Sequence, residues 1–407
     1  MNATARIAVL KFGGTSVATR EQREAAYARV RDAREGGFGT VAVISAMGRF
    51  PEPYATDTLL ELVDRRAGDV NTDLLLAAGE LIAAAVFAEG LVAEGVDAVA
   101  LSGAQAGIVT DRRHGDATIL RVEPRTIHEL LKRGCVAVIA GFQGATEDGT
   151  VTTLGRGGTD LSAIAIGHAL DAERVDIYTD VSGAMTADPR RIAGARTIER
   201  ASLMEMTELA THGAKVMHHK AADYANRTGT RYTVKGLETD CGTLVDETVD
   251  HHRPVTGVTA SGELTWVRVI RGDIESPRRR METELEMFRR IAEAGISVDQ
   301  VTINQAGVAF AVNGDRGSEI RRLLGDLNLA VRVREGCSKL SIVGSGMRGA
   351  PGVVHEVVDA LSHADVEIIH CTDSNITISM LVPAADVARA EGAVHERFKL
   401  DREDPVA

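Results

Sequence analysis

Over the first 243 residues, short continuous apolar runs alternate with longer stretches in which apolar positions recur every three or four residues. RIAVLKF, TVAVISA, DAVALSG, VAVIAGF and VDIYTDV read as short buried strands. EQREAAYARVRDAREGG, DTLLELVDRRAG, DLLLAAGELIAAAVFAEGL and DLSAIAIGHAL read as helices. Such alternation predicts an α/β domain, with a largely parallel sheet covered by helices on both faces. A charged stretch, DETVDHHRP, breaks the pattern and marks a linker over residues 244–255.

The second part of the chain repeats itself. TELEMFRRIAEAGISVDQVTINQAGVAFAV aligns without a gap with VVHEVVDALSHADVEIIHCTDSNITISMLV at a constant offset of 70, Ile296 falling on Val366 and Phe310 on Met380. Each unit reads as a helix followed by two alternating strands. A further strand precedes each helix, LTWVRVI and KLSIVGS. Two βαββ units are expected, each closing with another helix and strand, over residues 256–330 and 331–407.

Composition narrows the partners. The chain has 407 residues, with 46 basic against 58 acidic and a formal net charge of −12. An acidic surface repels a phosphate backbone, so nucleic acid is not an expected partner. Any anionic ligand needs positive charge concentrated locally. Cys135, Cys241, Cys337 and Cys371 are far apart and form no CxxC pair, which argues against zinc or a disulfide framework and suits a reducing cytoplasm. No basic region followed by an apolar stretch and a cleavage site opens the chain, so no secretory signal is expected. The most apolar segment, LLLAAGELIAAAVFAEGLVAEG, carries Glu80 and Glu89. Both would be costly inside a bilayer, so it reads as a buried helix with one functional carboxylate, not a membrane span.

Three glycine turns carry the candidate chemistry. In KFGGTS, Gly13 and Gly14 let the backbone approach a phosphate, and Lys11 adds a point charge. The turn is not a P-loop, because GxxxxGK[ST] is absent. In GRGGTD, residues 155–160, Arg156 can grip a carboxylate with two parallel hydrogen bonds. Asp160 is either an active-site group or only a helix N-cap. In TDVSGAMTADPR, residues 179–190, Asp188 reads as a turn residue, while Arg190 either contacts phosphates or lies across the surface. All three turns follow predicted strands, where open α/β sheets place their ligands.

Taken together, KFGGTS, SAMG, the Gly-Glu pair of AAGELI, LSGAQAG, GFQGAT, GRGGTD, TDVSGAMTADPR and HGAKVMH stand in the order found in bacterial aspartokinases. The chain resembles that family, a branch of the amino-acid kinase superfamily with two C-terminal ferredoxin-like ACT domains, over nearly its whole length. The run SAMGRFPEPYATDTLL is most similar to the diaminopimelate-sensitive branch. The resemblance implies ATP-dependent phosphorylation of the L-aspartate β-carboxylate, the first step toward lysine, diaminopimelate, threonine and methionine. It implies Lys11 and Asp160 as catalytic residues, with Lys11, Gly13, Gly14, Thr179, Asp180, Arg190 and Lys215 around ATP. Magnesium is expected to be held mainly by the nucleotide phosphates, with no protein metal site. Ser45, Thr56, Glu80, Arg156, Gly157, Gly158 and Thr159 are expected around aspartate, Arg156 on its α-carboxylate and Glu80 on its ammonium.

The ACT pair implies an amino-acid effector, diaminopimelate, lysine or threonine, bound near Ile296, Val298, Asp299, Asn304 and Gln305, and a homodimer built through these domains. Three departures from the family pattern, Leu161, Met185 and His219, bear on nucleotide affinity more than on reaction type. Another amino-acid kinase, such as an acetylglutamate or glutamate 5-kinase, and a catalytically weak amino-acid sensor remain the alternatives.

Overall fold

The computed structural model describes residues 6–63, 69–214, 216–249, 253–270, 276–327, 329–347 and 349–402. They form two compact units. The chain up to Ala184, Thr197–Thr211 and the stretch ending at Val249 make the first; Met185–Arg196, His212–Ala214 and the rest of the chain make the second.

The first unit holds strands β1 (Ile7–Phe12), β2 (Gly39–Ile44), β3 (Ala98–Leu101), β4 (Ile108–Thr110), β5 (Ile119–Val122), β6 (Val136–Ala140), β7 (Gln143–Ala145), β8 (Val151–Thr153), β9 (Arg174–Thr179), β10 (Arg200–Ser202), β11 (Tyr232–Gly236) and β12 (Gly242–Asp246). Its helices are α1 (Arg20–Glu35), α2 (Thr56–Leu60), α3 (Val70–Ala93), α4 (Arg125–Lys132), α5 (Gly158–Ala169), α6 (Leu203–Thr211) and α7 (His219–Thr228). The main sheet runs β10-β12-β11-β9-β1-β2-β6-β3, and every neighbouring pair is parallel except β11–β12. A small sheet, β5-β4-β7-β8, lies apart from it.

Strand alternation divides β1 between two faces. Ala8, Leu10 and Phe12 enter the core with Ala26 and Tyr27 of α1 and Phe87 and Leu91 of α3, while Phe12 stacks on Tyr178 of β9 at 5.0 Å. Lys11 is thereby turned to the opposite face. The capping box of Thr19 and Gln22 starts α1. Helix α3 is long and apolar enough to cross a membrane by length and composition. Here Ala83, Ala84, Phe87 and Leu91 pack into the core, Glu80 is buried and Glu89 is exposed. The helix expected from DTLLELVDRRAG ends at Leu60, and its last residues lie outside the described ones.

The second unit contains β13 (Gly257–Ile270), α8 (Pro277–Glu293), β14 (Val298–Asn304), β15 (Gly307–Asn313), α9 (Gly317–Leu324), β16 (Ala330–Val343), α10 (Val353–His363), β17 (His370–Asp373), β18 (Thr377–Pro383) and α11 (Val387–Arg397). One sheet runs β14-β15-β13-β16-β18-β17. The offset of 70 holds from strand to strand: β15 maps onto β18 end to end, and the starts of α9 and α11 coincide.

The closing strand is where the two repeats part. The first repeat is closed by the opening of β16, which pairs with Leu264–Ile270. The second is closed by Gly257–Ala260, which pairs with Leu340–Val343, and Val255 and Val258 lie in its core with Leu340, Ile342, Val357 and Leu361. The first repeat is therefore inserted within the second; the expected boundaries give Val258 to the first repeat and Val255 to the linker, whereas both pack in the second repeat's core. Sequence order misleads here because β13, with an irregularity in register between Ala260 and Glu263, serves both repeats within one sheet.

Candidate active site

Lys11 is 8% exposed, and its Nζ lies 2.7 Å from Oδ1 of Asp160 on the first turn of α5. Directly after β1 the chain makes a short 3-10 turn, Gly14–Ser16. A side chain at position 14 has no room: its Cβ would stand 2.5 Å from the Ala46 carbonyl oxygen. The amide of Gly48 donates to the Gly14 carbonyl at 3.0 Å. KFGG and SAMG are thus laid back to back, and Gly13 sets backbone without a side chain beside the Lys11 ammonium, where a Cβ would lie 3.5 Å from Nζ. Open backbone beside a buried cation is what a phosphate requires.

GRGGTD supplies the other wall. Gly157 sits at φ 75° as the residue before α5, and a Cβ there would strike His218. Because α5 begins at Gly158, Asp160 lies inside the helix and is not its cap. Thr159 is buried against Gly141, which follows β6. Arg156 is exposed at the tip of the turn.

Glu80 is 2% exposed. Its Oε1 accepts from the Ala46 amide at 3.4 Å, and its Oε2 has no hydrogen-bond partner. Burial pushes this carboxyl up to about 8, so it is largely neutral at pH 7. The unpartnered buried oxygen leaves hydrogen-bonding capacity unspent at this point of α3. Ser45 follows β2, Thr56 opens α2, and both are half-buried.

Of the expected nucleotide residues, Thr179 ends β9, the strand beside β1, and Asp180 follows it. Burial raises the Asp180 carboxyl, but Arg49 at 2.8 Å outweighs it and holds it below its ordinary value. Arg190 belongs to the second unit, where it grips Asp188 at 2.9 and 2.7 Å and, with other hydrogen bonds, depresses that carboxyl to about 2. Lys215 lies outside the described residues.

Among the expected effector residues, Asp299 stands at the start of β14, while Asn304 and Gln305 are exposed at its far end. Five strand residues span roughly 16 Å, so these three side chains do not form one cluster. The neighbours of Asp299 are instead Lys339, which pairs with it, and Gln300, buried at φ 50°. Ile296 is buried in the first repeat's core, with Val298 packed against it.

Sequence reasoning also passed over Arg49, His218 and Asp73. Arg49 follows SAMG as a cation in a loop at a strand end, a signal that was present. His218 was visible only as a departure from pattern. Asp73 gave no signal beyond being a charge in an apolar helix.

Comparison with known proteins follows this geometry. The Amino acid kinase family model matches residues 6–236, and an ACT domain model matches residues 340–398. Aspartokinase 1 of Bacillus subtilis is 39% identical over 98% of this chain and all of its own length. The aspartokinase of Geobacillus stearothermophilus is 37% identical over 98% of each. Among solved structures, E. coli aspartokinase III in complex with aspartate and ADP superposes with a TM-score of 0.76 at 26% identity, covering 96% of this chain and 99% of that one. With a lysine-glycine turn and a glycine-capped helix meeting at Lys11 and Asp160, and with the whole length of curated relatives matched, this chain belongs to the aspartokinase family, ACT-bearing kinases that phosphorylate aspartate.

Proposed function

We propose that Lys11, held by Asp160, stabilises the γ-phosphoryl group of ATP as it passes to the β-carboxylate of L-aspartate, and that Glu80 and Arg156 hold that amino acid by its ammonium and α-carboxylate. The observation that carries this reading is the Lys11–Asp160 pair beside backbone that admits no side chain, with the unpartnered oxygen of Glu80 on the neighbouring helix. Aspartate's own carboxylate, with a reference pKa of about 3.9, is ionised at pH 7, so no general base is needed. The difficulty is anion meeting anion, which positioning and charge neutralisation overcome. Lys11 neutralises the transferring group, and Asp160 keeps the ammonium directed at it. Ser45, Thr56, Gly157, Gly158 and Thr159 line the amino-acid side.

Thr179, Asp180 and Lys215 serve the nucleotide, and Gly13 and Gly14 cradle its phosphates. Among the described residues no three His, Cys, Asp or Glu side chains group closely enough to hold a metal ion. Magnesium would then arrive on the phosphates, with Asp160 and Asp180 the carboxylates available to it, and supply further charge neutralisation. Four unpaired cysteines, two of them exposed, suit a cytoplasmic site of action.

An E. coli aspartokinase III structure is described as a T-state complex with lysine and aspartate, at 26% identity and a TM-score of 0.73 over 96% of this chain and 99% of that one. By analogy the second unit takes an amino-acid effector near Asp299, diaminopimelate first, then lysine or threonine. A second copy packs on this unit, where Met281, Leu285, Val354 and Val358 expose apolar surface on α8 and α10.

A hydroxamate assay with aspartate, glutamate and acetylglutamate tests the reading. Acyl hydroxamate should form with aspartate far faster than with the others. Formation from acetylglutamate or glutamate instead would make this a different amino-acid kinase, and formation from none would leave an effector-binding sensor.

A further inference from the structure

Asp73 is the most enclosed carboxylate on α3, 1% exposed, two turns before Glu80 and on the same face. It carries no part of the chemistry described above, yet all its acceptor capacity is used. Oδ1 accepts from the Thr153 hydroxyl at 2.5 Å and from the Gly115 amide at 3.0 Å. Oδ2 accepts from the Thr153 amide at 3.0 Å and the Gly115 amide at 3.2 Å, and lies 2.8 Å from His114 Nδ1.

Both sets of partners lead to the same place. Thr153 ends β8 and is separated by one residue, Leu154, from Gly155, which Arg156 follows. Gly115 and Asp116 pack directly on Gly155: a Cβ there would lie 2.6 Å from Asp116 Oδ1 and 3.1 Å from the Gly115 carbonyl oxygen. Gly155 itself has φ 74°, so the turn has little freedom to adjust around a shifted neighbour. One buried carboxylate therefore ties helix α3 to the approach of the GRGGTD turn from two sides. One turn further along α3, the Ala77 carbonyl accepts from Gln143 at 2.9 Å and blocks sliding of the helix along β7.

The consequence is metric. Seven residues of helix advance about 10 Å. Asp73 sets where α3 stands along its own axis relative to β8, so it sets how far Glu80 is from the backbone that carries Arg156. We infer that Asp73 is a positioning residue for substrate recognition: it holds the ammonium receptor and the α-carboxylate receptor at one separation and thereby selects an amino acid of aspartate's length. This rests on the assignment of Glu80 and Arg156 to the substrate.

Asp73→Asn keeps the shape but gives up half the acceptor capacity, and its amide group would face the Thr153 or Gly115 N–H. In the full-length protein it should raise KM for aspartate on the order of tenfold, leave KM for ATP within about twofold, and narrow the preference for aspartate over glutamate. Thr153→Val, which removes one hydroxyl from the same carboxylate, should shift the same quantities in the same direction by less, and it carries the test if Asp73→Asn does not fold. A parallel rise in both KM values, or an unchanged KM for aspartate in the variants that fold, overturns the inference. Glu80→Gln and Arg156→Lys, measured alongside, separate the two failures. If neither raises KM for aspartate, the substrate assignment falls and the inference with it; if both do while Asp73→Asn does not, only the positioning role falls.

Discussion

Glu80 is proposed to hold the substrate's ammonium and Asp299 to lie at the effector site of the regulatory repeats, and the surroundings of the two carboxyls differ in kind. Glu80 is enclosed, has no cation beside it, and is pushed up to about 8 by burial. Asp299 is half-exposed; burial raises its carboxyl, but the Lys339 ammonium outweighs that and holds it below its ordinary value. An ammonium arriving at Glu80 meets a neutral acid and must drive off its proton. One arriving at Asp299 meets a carboxylate already engaged by a lysine and must displace it. On the proposed assignments, the first site would be tuned by pH and the second by competition within the chain.

The largest effect expected separates the two regions outright. Lys11→Ala should lower kcat on the order of 10²-fold or more, because a charge contact made in the transition state is lost. Thermal shifts produced by the effector should survive in that variant. A folded Lys11→Ala enzyme with near-normal kcat would remove Lys11 from the chemistry.

Arg156→Lys comes next. Two parallel hydrogen bonds to a carboxylate become at most one, so KM for aspartate should rise on the order of 10- to 100-fold with KM for ATP little changed. Equal rises would move Arg156 to the nucleotide side or to general structure.

Competition at Asp299 makes a signed prediction. Lys339→Met removes the internal rival and should lower the inhibitory concentration of the effector. Asp299→Ala removes the receptor and should raise it. Shifts of about tenfold fall within ordinary allosteric coupling. Diaminopimelate, lysine and threonine should be titrated singly and in pairs, each variant normalised to its own uninhibited rate. Shifts in the same direction would make the pair a structural tie and not a ligand site.

The smallest effect is the pH dependence, and it bears most directly on the contrast. Substrate ammonium favours ionised Glu80, so binding lowers the Glu80 pKa and releases a proton. Affinity for aspartate should therefore rise with pH and level off above about 8, improving roughly fivefold between pH 7 and 8. The same raised pKa means the ligand-free protein loses stability as pH climbs from the ordinary glutamate range through about 8, because the unfolded chain gives up that proton first. Asp299 is already ionised throughout, so effector inhibition should stay flat over that interval. KM profiles for wild type and Glu80→Gln check the first sign and thermal unfolding of the ligand-free proteins against pH checks the second: both slopes should vanish in the variant.

How far all this could be read beforehand depended on whether the information was local. β1, β2, β6 and β9 are short apolar runs, and α1, α3 and α5 are long enough to show their character; all were legible. The three-residue strands β4, β7 and β8 were not, since three positions show no period. Glu80 was found because Gly79–Glu80 belongs to a recognisable run. Its lack of a partner was invisible, and so was the Lys339–Asp299 pair, which joins side chains 40 positions apart on two strands that are not neighbours in the sheet. The expected clustering of Asp299 with Asn304 and Gln305 failed because closeness in sequence is separation along an extended strand.

The insertion of one repeat within the other has a further consequence, for the order in which the chain can fold. β13 and β16 are each single strands of 14 residues that serve both repeats. The second repeat's fourth strand is made some 80 residues before its first strand is complete, and it pairs only after the intervening repeat has brought β16 back alongside. Long loop closure of this kind is slow, since the entropy of closing comes before the contacts that reward it. The first repeat, whose contacts are nearer in sequence, is the natural template. Damage to its core, at Phe310 or Ile291, should therefore delay closure of the second repeat even though that repeat's own residues are intact.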